Sequence, residues 1–411
     1  MTTIIKNIDL NLGADRFDGW ETCAASGNNI VVYSGNWFAA YSRDNGETFS
    51  PLDPNGICQS YGEDLCCDQV VIYSPQINNF IWVMQTTSGN YVLAFATPEE
   101  IDSSAGKKWF TYYIPSKLFA PPTELNKLDF PEVALGDNFL YMTCMLYGIF
   151  PKLTTKFAVG IRISLENIST RRGLAGAWFG VRDTWGLRPA QSTGSVGFFV
   201  SQNSTSELGM FRWPESGSIS RFKIPISTIP TEDWEVKFPD GSLPNWLSTD
   251  PKFPSKISAR ITGLTLAGSE LWVAWSAARK VPGRQVETAP YPHIGIAVID
   301  VDKRKLVREE YIWNSQHAFA WPALATNRNG EVGLSFCWGG NKWYAHHGVG
   351  ILSPHRSLIS TTSGVTTGAG GHYISIRRDF PREDQFSSTG FNQIKESGSL
   401  INHPHYVVFK N

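Results

Sequence analysis

The chain has almost no charge imbalance, few cysteines and no long apolar run. Its 36 Lys and Arg stand against 37 Asp and Glu, a formal net charge of -1 over 411 residues. Basic and acidic residues are interspersed, so neither a nucleic-acid footprint nor a polybasic membrane patch is present. No apolar run nears the ~20 residues a membrane helix needs. The start, Met1 to Asn7, lacks the apolar core of a secretory signal. No nucleic acid and no membrane are expected as partners, and the expected location is cytoplasmic. Six cysteines are too widely spread for a disulfide scaffold or a zinc ribbon. Only Cys58, Cys66 and Cys67 lie close enough together for a bridge, and the spacing leaves open whether one forms. The pair His346-His347 has no metal-site spacing, no nucleotide motif occurs, and helical periodicity is almost absent.

What remains is a composition able to bury a large core, with 42% hydrophobic and 13% aromatic residues against 18% charged. The organisation is a recurring pattern: a polar or aromatic anchor, a strand of small apolar residues, a turn, and a second, strongly apolar strand. One copy is Asp129-Phe130-Pro131-Glu132-Val133-Ala134-Leu135, the turn Gly136-Asp137-Asn138, then Phe139-Leu140-Tyr141-Met142. Six further copies give anchors at 21, 69, 188, 260, 321 and 373 besides 130. Additional short β-rich pieces, such as Tyr91 to Ala96 and His293 to Ile299, supply outer strands. The reading is an all-β, seven-bladed β-propeller with four-stranded antiparallel blades around a central channel. Residues 1-411 form one domain, closed by pairing of the Thr3-Ile4-Ile5 strand with the last blade.

One short motif stands out, Ser42-Arg43-Asp44-Asn45-Gly46-Glu47-Thr48-Phe49. Asp44 can cap the turn amides, Gly46 supplies a positive φ, and Phe49 plugs the hairpin into its sheet, so the motif is a folding device. Ser104 to Trp109 reads as a decayed second copy. The motif is similar to the Asp-box, and the chain resembles the sialidase-like propeller superfamily. Cys67 to Tyr73, Pro290 to Asp300 and Tyr406 to Phe409 resemble uncharacterised seven-bladed propeller proteins of that kind.

In a propeller the innermost strands line the channel, so the anchors define a ring at one mouth: Trp20 and Glu21, Asp68 and Gln69, Asp129 and Phe130, Arg188, Arg260, Trp321, and His372 with Tyr373. Acids, arginines, a histidine, a tyrosine and aromatic rings suit one polar ligand site. Arg188 and Arg260 could clamp an anion, and Trp20, Phe130 and Trp321 could stack on a sugar ring. His317 is placed over the mouth. Asp68 and Asp129 could divide acid and base roles, or simply pair with the two arginines. His372 and Tyr373 form a second proton-transfer pair, of which Tyr373 is expected to face the channel.

The resemblance implies a glycosidase arrangement, in which Arg188 and Arg260 match an arginine cluster, Asp68 or Asp129 the acid, and Tyr373 with Glu21 a nucleophile pair. The expected F/Y-R-I-P motif is missing near the N-terminus, and Arg221 to Pro225 is a late, altered version. No cofactor is expected, though channel carboxylates would suit a structural calcium. The leading expectation is an enzyme with one site at the channel mouth, acting on an anionic or polyhydroxylated small molecule or glycan by hydrolysis or elimination. Two alternatives stay open: a cyclase or alkylating enzyme of natural-product biosynthesis, and a lectin-like propeller without catalysis.

Overall fold

A computed structural model describes residues 1–10, 12, 21–119, 125–148, 157–184, 186–231, 234, 236–237, 239, 260–279, 289–361, 373–396 and 399–411. The strands assemble into seven four-stranded antiparallel sheets, the blades of a β-propeller. Blade one runs through Cys23–Gly27, Ile30–Ser34, Ala39–Ser42 and Ser50–Leu52, and each later blade is built in the same inner-to-outer order. The inner strands of the other blades are Leu65–Ser74, Leu125–Leu135, Leu187–Pro189, Ile261–Ala267, Ala318–Thr326 and Ile376–Arg378. Consecutive inner strands touch, and those of blades one and seven meet to complete the ring. Positions 69, 130, 188 and 321 lie within inner strands, and 21, 260 and 373 lie just before one. In blade seven the outermost strand is Thr3–Asp9, which pairs antiparallel with Ser399–Lys410, Ile4 opposite Phe409 and Ile8 opposite Tyr406.

The apolar residues that alternate along the sequence fill the spaces between blades. Trp82, Trp272, Tyr33 and Phe199 are fully buried there, where large rings contribute most of the interlayer contact. Among the described residues three short α-helices lie in connections, Pro54–Gln59 between blades one and two, and Pro98–Ser103 and Leu165–Thr170 between the third and fourth strands of blades two and three. The middle one is started by local chemistry: Thr97 caps it, Pro98 opens it, and the Glu100 carboxylate accepts from the Thr97 amide.

The Ser42 to Phe49 segment joins the third and fourth strands of blade one. Asp44 Oδ1 accepts from the amides of Glu47 and Thr48 at 3.1 and 2.9 Å. Burial pushes this carboxyl up, but the donors from Ser42 and Thr48 outweigh burial and hold it at about 2. Gly46 has φ +85°, and a Cβ there would sit 2.5 Å from the Tyr406 ring. Ser104 to Trp109 occupies the equivalent connection of blade two, where Ser104 Oγ accepts from the amides of Lys107 and Lys108. All six cysteines are free thiols.

Candidate functional site

The starts of the inner strands are irregular in a consistent way. Pairing with the second strand slips between Leu65 and Gln69, Asp129 and Glu132, Ile261 and Gly263, and Ala320 and Ala323. Two of these bulges contain a proline, Pro131 and Pro322, which has no amide to give to a ladder. The residues before them, Phe130 and Trp321, take φ of 52° and 56°, and Glu21 takes 56°. Left-handed backbone at bulky residues is costly and persists only where the surroundings impose it. Each bulge re-aims the side chains at one end of the channel.

That end gathers three carboxyls, from blades one, two and three. Asp68 is 5% exposed and lies against Glu21 and Asp129. Burial, then the charges of Glu21 and Asp129, push the Asp68 carboxyl well above the usual range, so it holds its proton. Its Oδ2 meets no hydrogen-bond partner among the described residues. Asp129 is also raised by burial, but the Phe130 amide donates to its Oδ1 at 2.9 Å and Arg260 faces it. A carboxylic acid thus stands beside a second raised carboxyl, one whose charged form an amide donor and an arginine favour.

Arg260, 3% exposed, stacks its guanidinium 3.7 Å from the Phe130 ring centroid. Among the described residues its Nε and Nη2 find no acceptor, and it also interacts with Tyr147. On the other side of Phe130, at 6.3 Å between centroids, is the Tyr373 ring. The Tyr373 hydroxyl is unpartnered, and burial followed by the charges of Asp68 and Glu21 drives it far above the ordinary phenol range. It remains a neutral donor at physiological pH. Cys66 and Cys67 flank this cluster with their sulfurs 2.7 Å apart.

Below the acids the channel is closed by an ion triad. Glu132 receives Arg188 Nη1 on Oε2 and Arg377 Nη2 on Oε1, the latter at 3.0 Å. Arg188 Nε also donates to the Ile261 carbonyl at 3.2 Å. The gap around these side chains amounts to about 20 Å³, room for a single water.

The structure therefore brings together Glu21, Asp68, Asp129, Phe130, Arg260 and Tyr373, and gives Arg188 a committed partner one layer deeper. Trp321 is 2% exposed and packed among Ala318, Ala323 and Cys337, with its amide donating to Ser276 Oγ. His317 stands apart in an aromatic group, its ring 4.6 Å from Trp338 and 5.3 Å from Trp343. Burial and then His346 lower it to about 4, so it is neutral. Trp20 and His372 lie outside the described residues. The sequence reading did not include Tyr147, Glu132 or Arg377. Glu132 sits three positions beyond Asp129, and the bulge at Phe130-Pro131 brings both inward, a shift that strict alternation from Asp129 does not foresee. Among the described residues no group of three His, Cys, Asp or Glu side chains is arranged to hold a metal ion.

The chain matches no protein-family model and no curated protein. Among solved structures it is similar to a protein of unknown function from Dyadobacter fermentans, with 9% identity, a TM-score of 0.49, and coverage of 100% of this chain and 99% of that one. It is also similar to the BP39L lectin from Burkholderia pseudomallei, with 9% identity, a TM-score of 0.49, and coverage of 96% and 98%. A third is an α-L-arabinofuranosidase from Fusarium graminearum, with 8% identity, a TM-score of 0.46, and coverage of 98% and 97%.

Proposed function

We propose that the protein is an enzyme whose single active site is the acid-rich channel mouth, and that it acts on an anionic or polyhydroxylated substrate by acid/base chemistry. The observation that supports this most is the crowding of a strongly raised Asp68 against Asp129, whose charged form is favoured by the Phe130 amide and Arg260, beside a buried arginine whose Nε and Nη2 meet no acceptor among the described residues. Two carboxyls whose surroundings separate their protonation states suit general acid and general base roles. Arg260 would receive a carboxylate or other oxyanion of the substrate, and a donor that otherwise lacks an acceptor gains most from one. Phe130 fixes the guanidinium plane by stacking on it. Tyr373, held neutral, would donate a hydrogen bond rather than attack. Hydrolysis or elimination at a sialate or uronate fits these groups and the sialidase-like resemblance of the sequence. The unlike anchors of the seven blades favour one site over a lectin's repeated ones.

The reading is tested with a panel of nitrophenyl glycosides of sialate and uronates. Turnover is expected to fall as pH rises through the raised Asp68 value, because the acid must be protonated. Asp68→Asn is expected to lose ~10²–10⁴-fold in kcat, and Arg260→Gln to raise KM for charged substrates only. Retention of wild-type turnover by Asp68→Asn with a folded circular-dichroism spectrum would remove the acid/base assignment.

A further inference from the structure

At the opposite face of the ring the inner strands end around a second cavity of about 350 Å³. We propose that this far mouth is a separate binding site for a small carboxylate with an apolar ring or aliphatic body. Its volume is that of a small-molecule site. The ion triad and its 20 Å³ gap separate it from the acid mouth, so it is not a deeper part of the same site.

The cavity is built by two turns that reach over the channel. In blade four the chain after Pro189 makes a parallel bridge, Gln191 with Thr265 of blade five. Gln191 Nε2 then donates to the Val133 carbonyl at 2.7 Å, Ser192 Oγ to Thr326 O at 2.9 Å, and Thr193 Oγ1 to Leu135 O at 3.0 Å. Ser192 is held at φ 60°, backbone strain of the kind that clusters at ligand clamps. On the other side, Ser26 Oγ donates to Asp379 at 2.6 Å and accepts from the Phe380 amide at 3.0 Å. Ile72, Tyr73, Leu135 and Phe380 make the apolar wall, with the Tyr73 and Phe380 rings 5.6 Å apart.

Charge specifies the occupant. Arg378 lines the cavity with its Nε bonded to Thr326 O and its Nη1 to Glu383, each at 3.2–3.3 Å. Of its five N–H donors this leaves three without a protein acceptor, on a plane already fixed. Arg377, behind it, has its Nε unpartnered and its side chain nine-tenths buried. Of the charged side chains that line the cavity, Arg377 and Arg378 outnumber Glu383 by one, and Asp379 behind the wall has Arg382 as its counter-charge at 3.7 Å. A monoanion balances that surplus, and a carboxylate suits the fork of Arg378.

The test is titration of the full chain with benzoate, followed by calorimetry and ligand-observed NMR, with benzyl alcohol as the uncharged isostere. Benzoate is expected to bind the far mouth one per chain, counted in the Arg260→Gln chain so that the acid mouth does not contribute, and benzyl alcohol at least tenfold more weakly. Arg378→Gln, which removes the oriented fork, and Ala325→Leu, which fills the cavity, are each expected to weaken benzoate at least tenfold. Arg260→Gln is expected to leave the far-mouth benzoate site occupied with its affinity unchanged, whatever the acid mouth loses. The site is overturned if wild-type protein takes up no benzoate to ~10 mM, if benzyl alcohol binds equally, or if a folded Arg378→Gln chain binds as the wild type does. Loss of binding in Arg260→Gln alone would transfer the anion to the acid mouth and equally overturn it.

Discussion

The two ends of the channel are built from the same seven inner strands and arrive at opposite electrostatics. Where the strands begin, three carboxyls crowd one arginine, and burial makes Asp68 keep its proton. Where they finish, arginines outnumber the carboxylate lining the cavity and pair directly, Arg378 with Glu383 and Arg377 with Glu132. The wall between them is a single glutamate shared by two arginines. Proximity of like charges creates a reservoir of proton chemistry, whereas proximity of opposite charges creates a rigid partition.

Breaking the partition is the harshest test of that contrast. Glu132→Ala leaves Arg188 and Arg377 buried with no counter-charge, and is expected to cost ~3–5 kcal/mol of unfolding free energy by urea titration. A loss near zero would mean that the arginines find water instead. The acid mouth is sharpened by its pH behaviour. An unfolded aspartate loses its proton near pH ~4, while folded Asp68 keeps it to much higher pH, so its contribution to stability is present below pH ~4 and is lost as pH rises toward the folded value. The decline has a limiting slope of ~1.4 kcal/mol per pH unit, and melts of Asp68→Asn across this window are expected to show a flatter profile than the wild type. The far mouth gives the smallest effect. Ser192→Ala removes the hydroxyl bond to Thr326 without relieving the left-handed backbone, and is expected to lower stability by ~1 kcal/mol, read from the thermal midpoint, with the acid mouth's pH profile unaltered.

Much of this architecture is legible in the sequence, and for a physical reason. Unbroken apolar runs such as Val70 to Tyr73 against Phe80 to Val83, repeated around seven anchors, reflect local strand chemistry that tertiary context reinforces. The positions of Asp68, Asp129, Arg260 and Tyr373 at one mouth follow from that period. The partners of Arg188 do not. Glu132 and Arg377 are 245 residues apart, and their meeting depends on ring closure and on the bulge at Phe130-Pro131, which changes which of two neighbouring side chains points inward. The tight stacking of Arg260 on Phe130 likewise requires the positive φ of Phe130, a conformation that no propensity of phenylalanine announces.

Closure of the ring has a consequence for biosynthesis. The Thr3–Asp9 strand is made before its hydrogen-bonding partner, Ser399–Lys410, which follows the strands of all the other blades. Until that partner is made, the strand is an unpaired edge, open to any other nascent chain. Its side chains alternate between exposed and half-covered, with Lys6, Asn7 and Asp9 among them. Charge and polarity on a waiting edge discourage illicit pairing, so the strand that finally latches the ring is written to stay soluble until its partner arrives.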